Sequence, residues 1–277
     1  MDDLDFTNAN RQATSEVYKS SVARMCFEAL GRAETVPQGG SFFTENQASD
    51  KMYYLVEGEV GLVRGRKMLD TVKAGEIFGE MAAISRQPRS ATAVARTACR
   101  ALSLDAGQFL KAIQKTPEFA IMLMNIIIQR LRLTAALVSR HLPETAQVQE
   151  RRVFDPPLLA ELTQRLQNRP PTFAPLNKVI MKEGEAGVFM YVVLAGRVAV
   201  SIKGKLVERV GPGGVFGEMA LVDQSPRAAT AMAETDCELL SVTRNDFLGI
   251  VKSNPAFAVA LLKGLADRLR YMTAHHK

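Results

Sequence analysis

The sequence predicts a mainly β chain with α-helices, built as two tandem copies of one small barrel. Each copy is closed by helices at its C-terminal end. Three observations carry this. The chain repeats itself at an offset of 138 residues. Each copy holds many short runs that alternate apolar and polar residues. Each copy then ends in a long apolar run introduced by a proline.

The repeat sets the domain organisation. Phe78-Gly79-Glu80-Met81-Ala82 falls on Phe216-Gly217-Glu218-Met219-Ala220, and Pro88-Arg89-Ser90-Ala91-Thr92-Ala93 falls on Pro226-Arg227-Ala228-Ala229-Thr230-Ala231. Gly58 matches Gly196, Cys99 matches Cys237, and Arg130-Leu131-Arg132 matches Arg268-Leu269-Arg270. Roughly a third of positions from Phe42 to Ser139 are identical without a gap. A unit of that length is a whole domain rather than a solenoid repeat. The expected boundaries are residues 1–140 for the first domain, 141–157 for a linker rich in proline and polar residues, and 158–277 for the second.

The strands come first in each copy. Met52–Val56, Gly58–Val63, Met190–Leu194 and Arg197–Ile202 alternate in period two and are broken by Arg64-Gly65-Arg66-Lys67 and Lys203-Gly204-Lys205. Many short strands with tight turns point to a small barrel or sandwich. Helical periodicity follows at Asp105–Lys115 and Asn245–Ser253, then at Pro117–Arg140 and Pro255–Ala274, where proline suits the first turn. A further helix is expected at Ser15–Leu30. Residues 119–138 are apolar on almost every side, so one face is expected to need the second domain or another chain. That expectation leads to a homodimer through helix 117–140.

Composition excludes several classes. Hydrophobic residues make up 47% and charged residues 23% of 277 residues, enough apolar material for packed cores. The net charge of +6 divides evenly between residues 1–140 and 141–277, which speaks against a nucleic-acid interface. No run reaches the ~20 apolar residues of a membrane span. The acidic start Met-Asp-Asp-Leu-Asp lacks a secretory signal's apolar segment, so the cytoplasm is the expected compartment. Cys26, Cys99 and Cys237 have no metal-ligand spacing, and reduced buried thiols are expected. P-loop, kinase and nucleophile–base signatures are missing, so no enzyme is expected and no cofactor or metal is called for.

The twice-repeated Gly-Glu-Met-Ala…Pro-Arg motif carries the chemistry. Gly79 and Gly217 allow positive φ and close backbone approach. The short turn that follows, Glu80-Met81-Ala82 or Glu218-Met219-Ala220, aims N–H groups at an anion. Nine residues after each glutamate, Arg89 or Arg227 can fork onto phosphate oxygens. Ser90-Ala91 and Ala228-Ala229 let the backbone come close. A glutamate beside a phosphate needs a hydroxyl donor to face, and a ribose 2′-OH is one. The ligand inferred is a phosphate joined to a ribose hydroxyl.

These residues resemble the cyclic-nucleotide-binding domain, shared by the bacterial catabolite activator protein, the regulatory subunit of cAMP-dependent protein kinase and cyclic-nucleotide-gated channels. The resemblance implies a β-roll or jelly-roll barrel and cAMP or cGMP as ligand, one per domain. It implies that Glu80 and Glu218 accept from the ribose 2′-OH and that Arg89 and Arg227 pair with the cyclic phosphate. The amides of Ala82, Ala220, Ala91 and Ala229 would cradle it. Ser90 resembles the catabolite activator and favours guanine in some relatives, whereas Ala228 resembles the kinase subunit. Thr134 stands where the catabolite activator sets a threonine against the base. Its repeat partner is Met272, beside Tyr271. Two departures stand out: Ala83 where the second copy has Leu221, and Glu45-Asn46-Gln47 where it has Glu183-Gly184-Glu185. No DNA-reading helix-turn-helix follows the second copy in this sequence. The function implied is a non-catalytic sensor that signals through its terminal helices to an effector protein. The alternatives are a ligand-free scaffold and a nucleic-acid-associated regulator.

Overall fold

The computed structural model describes residues 19–141 and 150–274. The chain divides into two compact units, Met1–Ile126 and Ile127–Lys277.

The first unit opens with α1 (Ser20–Leu30), which buries Ala23, Cys26 and Phe27 on one face at helical spacing. The strands are β1 (Arg32–Val36), β2 (Ser41–Phe43), β3 (Met52–Glu57), β4 (Glu59–Arg64), β5 (Lys67–Lys73) and β6 (Ile77–Phe78). The short helix α2 (Glu80–Ser85) interrupts them before β7 (Thr92–Ala95) and β8 (Cys99–Leu104), and α3 (Ala106–Lys115) and α4 (Pro117–His141) follow. Two four-stranded antiparallel sheets result, in the orders β1-β8-β3-β6 and β2-β7-β4-β5. The period-two pattern places Ala93, Ala95, Cys99 and Ala101 in the core with Phe43, Tyr53, Leu55, Val60, Val72 and Phe78. Asp105 starts α3 through a capping box with Gln108.

The second unit repeats the plan. After β9 (Glu150–Arg151) and α5 (Pro156–Arg165) come β10 (Thr172–Ala174), β11 (Val179–Met181), β12 (Phe189–Ala195), β13 (Val198–Ile202), β14 (Lys205–Val210) and β15 (Val215–Phe216). Then follow α6 (Glu218–Asp223), β16 (Thr230–Ala233), β17 (Cys237–Thr243), α7 (Arg244–Ser253) and α8 (Pro255–Ala274). Its sheets run β10-β17-β12-β15 and β11-β16-β13-β14-β9. The two tandem barrels with closing helices are those expected from the repeat.

The stretch expected as linker carries β9, which extends β14 in parallel. It also carries the start of α5, because Asp155 caps Leu158 N and Pro156 fits the first turn. Residues 142–149 lie outside the described residues, as do residues 15–18 of the helix expected at Ser15–Leu30. Much of the apolar surface of α4 is buried within the chain, although Leu133 is 43% exposed. Phe119, Leu123, Ile127 and Ile128 are fully buried, and Ala135 joins the core of the second unit. Among the described residues no single helix is long and apolar enough to cross a membrane.

The three cysteines are free and buried. Cys99 and Cys237 occupy one repeat position, as the sequence indicates. Their thiols contact Glu59 O and Arg197 O, both at 3.3 Å. A Cβ on Gly58 or Gly196 would stand 2.7 or 2.8 Å from these sulfurs, and both glycines have positive φ. The turn and the thiol therefore fix each other's size.

Candidate functional site

The second unit holds a half-open cleft. Its walls are β-strand residues such as Met181, Val200 and Ile202, the segment Phe216–Ala220, the segment Arg227–Ala229, and helix residues Leu131, Ala135, Tyr271 and Met272. The sequence-predicted residues Gly217, Glu218, Met219, Ala220, Arg227, Ala228 and Ala229 all line it.

Backbone geometry builds the cassette. Gly217 caps α6 at φ 79°, and Gln224 ends it at φ 57°, so both ends turn through the left-handed region within one short helix. A Cβ on Gly217 would stand 2.6 Å from Arg227 Nη1. Arg227 is 6% exposed. Its Nη1 donates to Gly217 O at 2.8 Å and its Nη2 to Phe189 O at 2.7 Å. Two bonds to carbonyls orient the guanidinium and leave the rest of its fork unengaged. Burial pulls its pKa below the ordinary arginine value, with Tyr191 and Glu218 opposing. The backbone of Arg227 is clamped by Arg227 N to Glu185 O and Gly184 N to Arg227 O.

Glu218 is 1% exposed. It is met by Arg268 of α8, whose Nη1 donates to its Oε1. The same arginine reaches Glu208 of β14, with Nε 2.9 Å from Oε2. Burial alone would lower the Arg268 pKa, but the two carboxylates outweigh it and hold the group above its ordinary value. Arg151 of β9 adds a third guanidinium, with Nε 3.6 Å from Glu208 Oε1. The charged lining is thus Arg151, Arg227 and Arg268 against Glu208 and Glu218. One positive charge is left over, which matches a singly charged phosphodiester.

A strap holds the cassette from outside. Arg132 of α4 grips Asp223 with Nε at 2.6 Å and Nη2 at 3.1 Å, and its Nη1 donates to Pro226 O at 2.9 Å. These bonds fix the residues just before Arg227.

In the first unit, Gly79 again takes positive φ, 72°, and starts α2. Glu80, Ala82 and Ala91 are buried, Met81 is half-buried and Ser90 is exposed. Arg89 is 2% exposed and more heavily engaged than Arg227. Its Nη1 donates to Gly79 O at 2.6 Å, and its Nη2 donates to Ser49 Oγ at 2.7 Å and Lys51 O at 2.6 Å. Its Cζ lies 4.0 Å above the Phe43 ring. The Asn46 departure is absorbed in place. Asn46 takes φ 64° where Gly184 takes 84°, and Asn46 N still bonds Arg89 O.

Thr134 is buried on α4. It belongs to the second unit, where its neighbours Leu131 and Ala135 line the cleft. Its hydroxyl donates to Arg130 O at 2.8 Å, within its own helix. A short hydroxyl one turn from an open carbonyl bonds that carbonyl first.

Sequence reasoning missed Arg268, Glu208, Arg151 and Arg132. A signal existed for two of them: an arginine pair on an otherwise apolar helix, repeated as Arg130-Leu131-Arg132 and Arg268-Leu269-Arg270.

Comparison with known proteins points the same way. The family model described as the cyclic nucleotide-binding domain matches residues 33–116 and 172–254. A cAMP-dependent protein kinase regulatory subunit of Yarrowia lipolytica is 25% identical over 244 residues, 87% of this chain and 57% of that protein. The cyclic AMP receptor protein of Thermus thermophilus is 37% identical over 101 residues, 35% of this chain and 47% of that protein. Among solved structures, the regulatory domain of Toxoplasma gondii PKA with cAMP is 19% identical, covers 89% of this chain and 92% of that chain, and has a TM-score of 0.33. The chain spans about half the length of these curated relatives.

Proposed function

Because the chain belongs to the cyclic nucleotide-binding domain family, with two copies of the domain, we propose that it is a non-catalytic cyclic-nucleotide sensor. The ligand is cAMP in the first place and cGMP in the second, one molecule per domain. The observation that carries this reading is the cleft of the second unit, where one arginine is in excess over the carboxylates and a buried glutamate stands beside the phosphate arginine.

The residues divide the work. Arg227 forks onto the cyclic phosphate, and the amides around Ala220 and Ala229 complete the cradle. Glu218 accepts the ribose 2′-OH. Arg268 already donates to Glu218, so a ribose hydroxyl at the same carboxylate changes how tightly α8 is held. Ligand then favours one position of α8 over another in proportion to its differential affinity. That movement is the signal offered to an effector protein, and the cytoplasm is the compartment in which we place it. The names of the curated relatives, a kinase regulatory subunit and a cyclic AMP receptor protein, support a regulatory role without catalysis. A homodimer through α4 is part of the same proposal, supported by Leu133 of that helix, which is 43% exposed.

Isothermal titration with cAMP and cGMP tests the reading. The expected result is saturable binding at two sites, with Arg227→Lys removing one and Arg89→Lys the other. No heat, and no rise in melting temperature with either nucleotide, would overturn it.

A further inference from the structure

Once the phosphate goes to Arg227 and the ribose to Glu218, the lining of the cleft still includes an unassigned polar group. Arg151 reaches the wall of the cleft from β9, a two-residue strand outside both segments that carry the family pattern. Its side chain is 17% exposed. The nearest carboxylate, Glu208, stands 3.6 Å away, beyond hydrogen-bond reach, and is engaged by Arg268 at 2.9 Å. The Arg151 Cζ lies 4.7 Å from the centroid of the Tyr271 ring. Among the described residues the Arg151 guanidinium donates no hydrogen bond. It is therefore a half-dry fork, steadied by a ring and an ion pair, in a wall otherwise formed there by Val207, Tyr271 and Met272. A part-exposed guanidinium on the wall of the cleft can exchange water for acceptors on a ligand.

We propose that Arg151 reads the base at the second site and favours guanine over adenine. The proposal rests on the cyclic-nucleotide reading and deepens it. The chemistry follows from the base edges. Guanine offers N7 and O6, two acceptors side by side, to the two parallel N–H groups of a guanidinium. Adenine offers N7 beside an N6 amino group, whose hydrogens face the second arginine N–H. The fork therefore gains two bonds with one base and at most one with the other. Tyr271 holds the guanidinium by one face, and the Arg151 charge remains partly balanced by Glu208. Lysine, a point charge without the fixed fork, makes the distinction less sharply.

The test is a two-site titration of the full chain with cGMP, cAMP and cIMP, the second site being the one that Arg227→Lys abolishes. Hypoxanthine keeps O6 and N7 but lacks the exocyclic amine, so cIMP isolates the acceptor edge. Arg151→Ala is expected to weaken cGMP and cIMP about tenfold at that site and leave cAMP within about twofold. Arg151→Lys keeps the charge but not the fork and is expected to retain part of the preference, between the unaltered protein and Arg151→Ala, which also guards against a folding defect in the alanine variant. An equal loss for all three nucleotides would make Arg151 a general attractor for the phosphate and overturn the proposal. So would an unchanged cGMP-to-cAMP ratio. If none of the three binds the unaltered protein, the cyclic-nucleotide reading itself falls, a result distinct from unselective binding.

Discussion

Arg268→Met removes the one cation that donates hydrogen bonds to both Glu208 and Glu218 in the cleft of the second unit. The side chains concerned are 15%, 9% and 1% exposed, so little water can replace the guanidinium. Breaking a buried pair from one side costs about 3–5 kcal/mol, because the remaining charge stays desolvated. Against a total stability on the order of 5–15 kcal/mol, that is about a fifth or more of the margin. Urea unfolding reads it directly. A loss of about 4 kcal/mol at a slope of about 2 kcal/mol per molar lowers the midpoint by about 2 M. The triple variant Glu208→Gln, Glu218→Gln, Arg268→Met removes the stranded charges as well and is expected to recover most of the loss. A single variant within about 1 kcal/mol of the unaltered protein would refute the reasoning. So would a triple variant as unstable as the single one.

Other outcomes follow from the same geometry. Gly187→Ala puts a Cβ into the Cζ and Nε atoms of Arg227, so second-site nucleotide affinity should fall more than about tenfold by titration, a loss on the scale of one good charged hydrogen bond. Ser49 stands at the repeat position of Gly187 and accepts from Arg89. Ser49→Gly should release one bond of that arginine and raise first-site affinity about tenfold. Glu34 shows a pH effect. Burial pushes its pKa up, but hydrogen bonds from Lys51 and Ser103 and the Lys51 charge bring it below the ordinary carboxylate value. Its contribution is therefore complete above the unfolded pKa and is lost as pH falls through the lower folded one. Glu34→Gln should cost about 1 kcal/mol at neutral pH, the pair being part-exposed, and the difference should vanish in acid, as urea midpoints at both pH values would show.

The motif residues were legible because their chemistry is local. Gly217, Glu218 and Arg227 lie within eleven positions, and each residue type has few uses in that order. The closing helices were legible from proline and periodicity, and α7 and α8 fall on the expected ranges. Arg268 was not, because its partners Glu218 and Glu208 are 50 and 60 residues away and only folding joins them. Arg151 sits in a segment read as linker, outside the repeat, where no internal comparison could single it out. Thr134 was singled out only by its place in a resemblance, because no local pattern sets it apart on an apolar helix. Asn46 looked like a departure only until its positive φ showed that it does the work of Gly184.

The paired thiols beneath Gly58 and Gly196 have a use beyond packing. A maleimide cannot reach either sulfur while its barrel stays closed, and each barrel carries the group at the same depth. The rate at which Cys99 or Cys237 becomes alkylated, separated by peptide mapping, is thus a clock for the opening of its own half. Two such clocks on one polypeptide let nucleotide be added and its grip on either half be timed without dissecting the chain.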